Sequence, residues 1–458
     1  MFVKCRGDKY FARNNGFDKS NPYKNVYYAD LWGLRNGGTK NKYNYLTQHN
    51  ITNTKWQKLE PKEPYYFFVP KEFGEEERYQ KFWSVTGIFE KFSTGVFTHR
   101  DHFIVGFTKE EIKQKMRIFT GNLSDELLSE SLNLKDTRDW KLKIAREKIK
   151  EENWQEKIHP YAYRVFDNRF ICYSLNLIDR GCDRFHLMKH FFNENFGLIL
   201  NKKISGRDWH DAFVTKNIMD ANHFRGYTCV SPLYLYPEEK TKKKSNPFKT
   251  MVLLEPSEKY QTKTPNLNKE FIKKLEITYK TKISPEEIFY YIYAVLYSNT
   301  YRKKYEEFLK IDFPKVPITA DHKLFKKLSK IGEELVNLHL LKSPLLDKIL
   351  AKYPVDGSHK VEKIIYDENK KRVYINKDQY FGDIEKEVWE YYIGGYQVLS
   401  KWLKERRDRK LTDIEHYLKV ITAIKNTIKL QQEIDKLYNE VEKITLGNLD
   451  KRSEANYS

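Results

Sequence analysis

The chain has 458 residues, of which 40% are hydrophobic and 32% are charged. This length allows two or three domains with cores of their own, and the hydrophobic content excludes a wholly disordered protein. No apolar run approaches the roughly 20 residues that a helix needs to cross a bilayer, so the sequence predicts no membrane partner.

Basic residues outnumber acidic ones, 83 to 63, which gives a formal net charge of +20. Aromatic residues make up 15% of the chain and include 33 tyrosines. A strongly positive field attracts polyanions, and neutralisation of phosphates is the main term in non-specific DNA binding. A lysine-rich, AT-biased genome produces the same composition without any nucleic-acid partner, so composition alone leaves both explanations open.

Four cysteines are scattered along the chain and form no CxxC pair: Cys5, Cys172, Cys182 and Cys229. The first residues, MFVKCRGDKYFARNNG, lack the apolar region and the cleavage site of a secretory signal. We therefore expect reduced thiols and a cytoplasmic location.

The N-terminal part of the sequence contains two strand-like runs and then a helix. The first run lies within residues 24–34, and the second is EPYYFFVPKEF at positions 63–73. Thr108 has the character of a helix N-cap, because two glutamates follow it in the first turn. We expect residues 1–107 to hold the end of one domain and the start of the next, and residues 108–158 to form a helical connector.

The remainder of the chain contains a β-rich part, a basic linker and a helical part. Short β-prone runs fill residues 159–238, and a proline-bounded linker occupies residues 239–250. Residues 251–446 show helical spacing of apolar side chains, interrupted by a hairpin signal near residues 361–376. We expect residues 447–458 to form a flexible tail.

Two helices in the helical part are clearly marked. One begins at Ser284, because a capping serine is followed by proline and two glutamates. The other is the long final helix from Thr412 to Thr445, whose apolar side includes Tyr417, Ile424 and Ile444. The sequence therefore predicts the α+β class, with a mixed β-rich N-terminal lobe of short strands and a mostly helical C-terminal lobe that ends in a long helix.

No motif in the sequence forms a self-sufficient catalytic centre. HRD at residues 99–101 lacks the asparagine, the glycine-rich loop and the strand lysine of a kinase. His186 and His190 lie one helical turn apart but lack a glutamate and a third ligand for zinc. Asn21-Pro22 has one proline too few for the box that holds adenine in N6 methyltransferases, and we interpret it as a turn. Whether the chain is an enzyme stays open from these motifs.

Seven segments follow one another along the chain: YYADLWGLR, EPYYFFVP, GVFTHRDHF, YRVFDNRF, SPLYLYP, SPEEIFYYIYAVLYSNTYRKKYEEFLKIDFPKVPI and YYIGGYQVLSKWLKERRDRKLT. In this order they resemble the C-terminal part of the Type ISP restriction–modification enzymes and related large adenine-N6 DNA methyltransferases. The closing run HYLKVITAIKNTIKLQQEID is similar to the final helix of that family. The resemblance therefore extends from about residue 1 to residue 438.

The resemblance implies a role in recognition of a DNA target. Such enzymes are single polypeptides that carry a nuclease, a translocating ATPase, an adenine-N6 methyltransferase and finally a target-recognition domain. By the resemblance, this chain begins at the last strand of the methyltransferase core and then supplies the recognition domain. That domain would direct adenine-N6 methylation and, in a full-length enzyme, the restriction that serves phage defence.

The resemblance also implies partners. They are double-stranded DNA and a methyltransferase core, with S-adenosylmethionine bound in that core and no cofactor in this chain. The nuclease, the motor and the S-adenosylmethionine loop are missing from the sequence. The chain is therefore expected to be either a fragment or a separate specificity subunit.

Four segments supply candidate DNA contacts, since arginine reads guanine, asparagine reads adenine, and lysine or arginine neutralises phosphates. The candidates are Thr98, His99, Arg100, Arg164, Asn168, Arg169, Lys202, Lys203, Arg207, Lys401, Arg406 and Arg407. In two segments the alternative is an internal ion pair, in which Asp101 orients Arg100 or Asp167 holds Arg169. Both interpretations stay open from the sequence.

The segment from Tyr391 to Thr412 combines apolar and aromatic residues with a basic cluster. Gly394-Gly395 predicts a tight turn that feeds a short helix from Gln397 to about Arg406. One face of this helix is expected to be buried and its basic residues to stay exposed. These basic residues are Lys401, Lys404, Arg406, Arg407 and Arg409. Arg302, on another helix, is likewise expected on a solvated face.

Two other functions stay open at this point. The chain is an enzyme that acts on nucleic acid through a site without a recognisable motif, or it is an RNA-binding or protein-interaction scaffold that uses its long C-terminal helix. Steep salt dependence of duplex binding would favour the DNA hypothesis, because each phosphate contact releases counterions.

Overall fold

A computed structural model of the protein describes residues 26–31, 34, 41–61, 68–70, 74–179, 181–237 and 263–447. The chain divides into two units, Met1–Gly74 and Glu75–Ser458. Four features of the sequence lie outside the described residues: Asn21-Pro22, most of the run 63–73, the linker 239–250 and the tail after Gly447.

The first unit contains one strand pair and one helix among its described residues. Strand β1 (Val26–Tyr28) pairs antiparallel with β2 (Gln57–Leu59), so the strand expected within residues 24–34 is confirmed. Helix α1 (Lys42–Gln48) begins after Asn41, whose side chain accepts a hydrogen bond from a backbone N–H of the first turn at 2.8 Å.

The second unit opens with short strands and helices. They are α2 (Glu76–Gln80), β3 (Trp83–Ser84), α3 (Val85–Ile88), β4 (Ser93–Thr94), α4 (Asp101–Ile104), β5 (Val105–Gly106), α5 (Lys109–Thr120), α6 (Asp125–Ser131) and α7 (Leu142–Glu151). Helix α5 begins at the predicted N-cap, because the Thr108 hydroxyl accepts from the backbone N–H of Glu111 at 3.1 Å. Its buried face has the three- and four-residue spacing of a core-facing helix and consists of Ile112, Met116 and Phe119.

Two four-stranded sheets form largely from the β-prone residues 159–238. The elements of this part are β6 (Ile158–Arg164), β7 (Asp167–Cys172), α8 (Phe185–Met188), β8 (Gly197–Asn201), β9 (Ala212–Thr215), β10 (Ile218–Met219), β11 (Thr228–Pro232) and β12 (Tyr234–Leu235). The first sheet has the order β10-β6-β7-β5, in which β10 runs parallel to β6 and the other pairs are antiparallel. The second sheet has the order β4-β11-β8-β9 and is antiparallel throughout.

The register of the second sheet brings three loops to the same end. Thr94 ends β4 and lies opposite Cys229, the second residue of β11. Asn201 ends β8 and lies opposite Thr228, the first residue of β11, while Ala212 begins β9 beside the end of β8. The loop after β4, the loop that joins β8 to β9 and the loop before β11 therefore leave the sheet together. This edge is termed the loop end of the sheet.

The rest of the second unit is mainly helical. Its elements are β13 (Thr264–Pro265), α9 (Lys269–Tyr279), α10 (Pro285–Tyr297), α11 (Asn299–Lys304), α12 (Glu306–Leu309), β14 (Lys315–Val316), α13 (His322–His339), β15 (Ile365–Asp367), β16 (Arg372–Tyr374), β17 (Tyr380–Phe381), α14 (Lys386–Trp389), β18 (Tyr392–Ile393), β19 (Tyr396–Gln397), α15 (Val398–Lys404) and α16 (Ile414–Val441). Helix α10 begins with a capping box, in which Ser284 accepts from the Glu287 backbone at 3.2 Å and donates its own N–H to the Glu287 carboxylate at 3.1 Å. The predicted hairpin near residues 361–376 is confirmed as β15 and β16, to which β17 adds a third strand.

The long final helix, α16, lies within the expected range 412–445. Tyr417 and Ile424 are buried on its core side, as predicted. Ile444 is 69% exposed. Its expected place on the apolar side is wrong, because the helix ends three residues before it and leaves its side chain in solvent.

Sheets and helices of the second unit share a hydrophobic core. Core residues come from the first sheet, from α5 and α7, and from α15 and α16. The α+β class predicted from the sequence is confirmed, with several small sheets and a long C-terminal helix. In the part of the chain that the structure describes, no helix combines the length and the apolar character needed to cross a membrane.

Helices α10 and α13 approach each other closely at Gly332. A β-carbon on Gly332 would lie 1.9 Å from the carbonyl oxygen of Tyr290 on α10. Any larger residue at this position would force the two helices apart, because the surrounding core is close-packed.

Gly332→Ala is therefore expected to lower the free energy of unfolding by about 1–3 kcal/mol through overpacking. Urea denaturation measures this change. The matched control is Gly87→Ala on helix α3, where the added β-carbon would meet only the β-carbon of Ser84 at 3.9 Å. If Gly332→Ala unfolds at the same urea concentration as the control and the wild type, the close helix contact is contradicted.

Candidate nucleic-acid interface

Arg100, in the loop after β4, is buried in an internal ion pair. The side chain is 3% exposed, its Nη2 donates to Asp179 Oδ1 at 2.8 Å, and its guanidinium lies 3.9 Å above the Trp140 ring. Of the two interpretations left open by the sequence, an internal Arg–Asp pair is present, but it forms with a carboxylate 79 positions away and Asp101 does not orient Arg100. Burial would raise the pKa of Asp179, but hydrogen bonds from His99 and Arg100 outweigh it and hold the pKa below its ordinary value.

The two neighbours of Arg100 differ in exposure. Thr98 is buried, and its hydroxyl donates to Asp101, which also accepts from the Tyr163 hydroxyl at 3.2 Å. His99 projects from the loop with half of its side chain exposed, and its Nδ1 lies 2.8 Å from the Asp179 carboxylate. His99 is thus the solvent-facing residue among the three predicted contacts of this loop.

The hairpin of β6 and β7 carries Arg164 and Asn168. Arg164 donates to Asp220 at 2.9 Å and its guanidinium lies 3.9 Å above the Tyr163 ring. Burial raises the pKa of Asp220 to about 6, despite the opposing charge of Arg164. Asn168 is exposed, and its side-chain oxygen accepts from Asn217 at 3.4 Å. Asn168 is therefore the residue of this pair that a partner can reach.

Asp167, at the start of β7, is 1% exposed and binds two arginines. Arg169 donates to its Oδ2 at 2.8 Å, and Arg406 donates to its Oδ1 at 2.7 Å. Arg169 also donates to Glu405 at 2.9 Å. The Phe107 ring lies 4.2 Å from the guanidinium carbon of Arg169 and 5.0 Å from that of Arg406. These five residues are termed the Asp167 cluster.

The geometry of the Asp167 cluster decides two expectations. The internal ion pair between Asp167 and Arg169 is confirmed. Burial alone would raise the pKa of Asp167, but Arg406 and Arg169 outweigh it and hold the pKa below its ordinary value. The expected exposure of Arg406 is wrong, because its guanidinium is buried between Asp167 and the Trp402 ring, 3.5 Å away.

The predicted short helix of the C-terminal segment is confirmed as α15, one residue shorter at its start and two at its end than expected. Lys401 is partly buried and pairs with Glu405 at 2.5 Å. Arg407 is exposed and has no ion-pair partner among the residues that the structure describes. Exposure is confirmed for three of the five basic residues, Lys404, Arg407 and Arg409.

Lys202, Lys203 and Arg207 lie in the loop that joins β8 to β9. Both lysines are exposed; Lys202 Nζ lies 4.0 Å from Asp312, and Lys203 has no ion-pair partner within the described ranges. Arg207 is fixed, because its two terminal nitrogens donate to the two oxygens of the buried Asp211 at 2.5 and 2.6 Å. The lysines face solvent, whereas Arg207 holds the loop together.

Gly394 and Gly395 form the predicted tight turn, with φ values of 61° and 80°. The Gly394 carbonyl accepts from the N–H of Arg225 at 2.7 Å. A β-carbon on Gly394 would lie 2.0 Å from the Phe224 ring, and one on Gly395 would lie 2.6 Å from Arg207 Nε. The turn therefore packs directly against the loop end of the sheet and supports it.

The loop before β11 adds two exposed residues that sequence reasoning missed, Arg225 and Tyr227. The run FRGYT contains no motif, and its one local signal is a glycine between a cation and an aromatic ring. Arg225 has no ion-pair partner in the described part of the chain. The exposed basic and aromatic side chains at this end of the sheet are termed the loop-end surface: His99, Lys202, Lys203, Arg225 and Tyr227.

Arg302, expected on a solvated helix face, is buried. Its Nε donates to the Leu296 carbonyl at 2.6 Å, and its guanidinium lies 4.5 Å from the Tyr297 ring centre. The expectation is wrong because the side chain folds back to cap the C-terminal carbonyls of α10.

The histidines His186 and His190 lie at different depths. His186 is exposed, whereas His190 is buried and its Nδ1 accepts from the Tyr236 N–H at 3.0 Å. Over the described residues, no three His, Cys, Asp or Glu side chains are placed to hold a metal ion.

The second unit carries the features of a known class of specificity domain. The family model of the Type ISP C-terminal specificity domain matches residues 87–435, a range that contains both the Asp167 cluster and the loop-end surface. The match covers more than half of the sequence, so the chain belongs to this family. The resemblance to the Type ISP family is thereby confirmed, and the match includes the last five of the seven segments. A search of curated proteins finds no match.

Three solved structures share the fold. The ATP-dependent Type ISP restriction-modification enzyme LlaBIII bound to DNA is 20% identical with a TM-score of 0.62, covering 86% of this chain and 26% of that one. A nuclease-deletion mutant of the Type ISP enzyme LlaGI in complex with a DNA substrate mimic is 17% identical with a TM-score of 0.59, covering 84% and 36%. The DrdV–DNA complex is 19% identical with a TM-score of 0.64, covering 88% and 42%. The chain thus spans less than half the length of these proteins.

Asp167→Asn is expected to lower the free energy of unfolding by about 3–5 kcal/mol, because it leaves Arg169 and Arg406 buried without a full countercharge. Urea denaturation at neutral pH measures the loss. The matched control is Asp139→Asn, which removes an exposed carboxylate paired with Arg138 and should change the midpoint little. A midpoint for Asp167→Asn equal to that of the wild type would show that the cluster does not stabilise the fold.

The stability that Asp167 contributes also has a defined pH dependence. Because its folded-state pKa lies below the unfolded value of about 4, the contribution is complete above about pH 4 and is lost as the pH falls through the folded pKa. We expect the difference in unfolding free energy between wild type and Asp167→Asn to be constant above about pH 5 and to be smaller at about pH 3. Urea denaturation at each pH measures it, and a constant difference would contradict an ionised Asp167.

Proposed function

We propose that this chain binds double-stranded DNA and supplies the sequence recognition of a Type ISP restriction–modification enzyme. The observation that carries the proposal is the loop-end surface, where Lys203 and Arg225 face solvent without an ion-pair partner among the described residues. The family supports the proposal, and the three structures of similar fold are of proteins bound to DNA or to a DNA mimic. A net charge of +20 adds long-range attraction for a polyanion.

The exposed cations and the buried arginines have different proposed roles. Lys203, Arg225 and Arg407 are exposed, so we assign them to phosphates, which fix the register of a protein on the duplex. Arg100 and Arg169 are committed to buried carboxylates, and moving either one to DNA would leave an uncompensated charge behind. We therefore assign Arg100 and Arg169 the role of holding their loops in position. The other buried or paired members of the predicted set have the same proposed role: Thr98, Arg164, Arg207, Lys401 and Arg406. Direct DNA contact by these residues stays a prediction.

His99 and Asn168 are the exposed candidates for base edges. An asparagine amide suits the donor and acceptor of adenine in the major groove. A neutral imidazole offers one hydrogen-bond donor and one acceptor. Each side chain is held by one hydrogen bond, from Asn217 to Asn168 and between His99 and Asp179, which limits its freedom before DNA arrives. Such preorganisation lowers the entropic cost of binding.

Adenine-N6 methylation at the recognised sequence requires a methyltransferase core, which is either joined to this chain or separate from it. We propose that this core binds S-adenosylmethionine and methylates adenine N6, while this chain selects the sequence around the flipped base. The role of this chain's own residues is to hold phosphates and orient the duplex. The proposed role in restriction of phage DNA places the protein in the cytoplasm.

The alternative of a scaffold that works through its final helix is disfavoured by burial. Tyr417, Val420, Ile421 and Ile434 on α16 are all buried in the second unit. A helix whose apolar side already lies in the core has only its polar side left for a partner. The loop-end surface therefore gives the better account of a binding function.

Selection from a random duplex library with the 458-residue chain is expected to enrich one sequence. Affinity for that duplex, measured by fluorescence anisotropy, is expected to fall with salt at a log–log slope of about −0.9 per phosphate contact. The double variant Lys203→Gln with Arg225→Gln should have a slope that is shallower by about 0.9 for each phosphate that is no longer neutralised. It should bind the selected duplex and a scrambled duplex more weakly by the same factor.

The matched control for this pair is Lys273→Gln with Lys327→Gln, two exposed lysines on α9 and α13. The control is expected to keep the wild-type slope. The proposed function would be contradicted if the affinity of the wild type did not change with salt, or if the selection enriched no sequence. An equal loss of affinity in both double variants would move the phosphate contacts away from the loop-end surface.

A further inference from the structure

Tyr227 is the most exposed large apolar side chain among the described residues, at 73%. It lies in the loop before β11, at the loop end of the sheet, whereas most tyrosines of the second unit are buried in its core. An isolated exposed ring needs no explanation by itself. The surroundings of this ring, however, are unusual for a mobile surface loop.

The backbone on both sides of Tyr227 is fixed by hydrogen bonds. The N–H of Arg225 donates to the Gly394 carbonyl at 2.7 Å, and the Arg225 carbonyl accepts from Asn201 Nδ2 at 3.2 Å. On the other side, the N–H of Thr228 donates to the Ala221 carbonyl at 3.0 Å. Three different segments of the chain therefore hold the short loop in one conformation.

The ring itself has a defined place. Phe97 meets it edge to face, with ring centres 5.7 Å apart, and His99 lies 6.2 Å beyond Phe97. Edge-to-face contact is one of the preferred arrangements of aromatic pairs and orients the two rings relative to each other. The Tyr227 ring is thus contacted by Phe97, while 73% of the residue stays open to solvent.

The charges around Tyr227 indicate the partner. Arg225 is two positions away, and Lys202 follows Asn201, which binds the same loop. Cations that flank a fixed, exposed aromatic face suit a partner with anionic groups beside flat apolar surfaces. Nucleic acid combines phosphates with the apolar surfaces of bases and sugars in this way.

We propose that Tyr227 is a further DNA contact, whose ring packs against the apolar base and sugar surface of one nucleotide while its basic neighbours hold the adjacent phosphates. This inference rests on the proposed function of the chain. The contact is apolar, so it contributes affinity without releasing counterions and does not change the salt dependence of binding. Because the loop is already fixed, the ring loses little conformational entropy on binding.

Anisotropy titrations of the 458-residue chain with the duplex enriched by selection test the proposal. Tyr227→Ala is expected to weaken binding about tenfold and to leave the log–log salt slope unchanged. Tyr227→Phe keeps the ring and is expected to bind within about twofold of the wild type. Wild-type unfolding midpoints for both variants would show that the exposed position tolerates each change.

The matched control is Phe92→Ala. Phe92 is also an exposed ring, it meets Phe313 edge to face at 5.1 Å, and it precedes β4, whereas the loop end of the sheet follows β4. Its removal should leave DNA affinity unchanged. The inference would be overturned if Tyr227→Ala kept full affinity or had a shallower salt slope than the wild type. It would also be overturned if Tyr227→Phe or Phe92→Ala weakened binding as much as Tyr227→Ala does. Failure of the wild type to bind any duplex would instead overturn the proposed function.

Discussion

The carboxylate of Asp167 holds two buried guanidinium groups, and the arrangement of the second unit depends on this triad. Arg169 comes from the same hairpin, whereas Arg406 comes from the segment after α15, 239 positions away. A buried charge without its partner costs several kcal/mol, so the triad favours one packing of hairpin against segment over any arrangement that separates them. Phe107, which precedes α5 by two positions, contacts both guanidinium groups with its ring. Three distant parts of the chain are therefore fixed at one point.

The same use of arginine explains which part of the positive charge is left for a partner. Arg100, Arg164 and Arg207 each bind one aspartate at the base of a loop. Their charges are balanced inside the protein, and their hydrogen bonds keep the loops in place. Among the described residues, the cations that face solvent are mainly lysines, together with several arginines that include Arg225 and Arg407. This difference between buried arginines and exposed lysines follows from their chemistry. A planar guanidinium binds a carboxylate in a fixed geometry, whereas a lysine ammonium stays hydrated.

Local features could be predicted from the sequence because their causes are local. The Thr108 cap, the Ser284 capping box and the Gly394-Gly395 turn each depend on residues a few positions apart. The burial of Arg406 and Arg302 could not be predicted, because helical spacing marks an arginine as exposed unless its partner is known. For Arg406 that partner lies in a different part of the chain. Tyr227 was missed for a related reason, since its exposure follows from the register of the second sheet and no local pattern records it.

The turn at Gly394-Gly395 and the loop before β11 touch through a backbone hydrogen bond and an approach too close for any side chain on the glycine. Neither segment can change shape without the other. An attempt to graft a new DNA specificity from a relative into this chain would therefore fail if it transferred only the loop. Both segments have to be exchanged together, although they are encoded far apart in the gene.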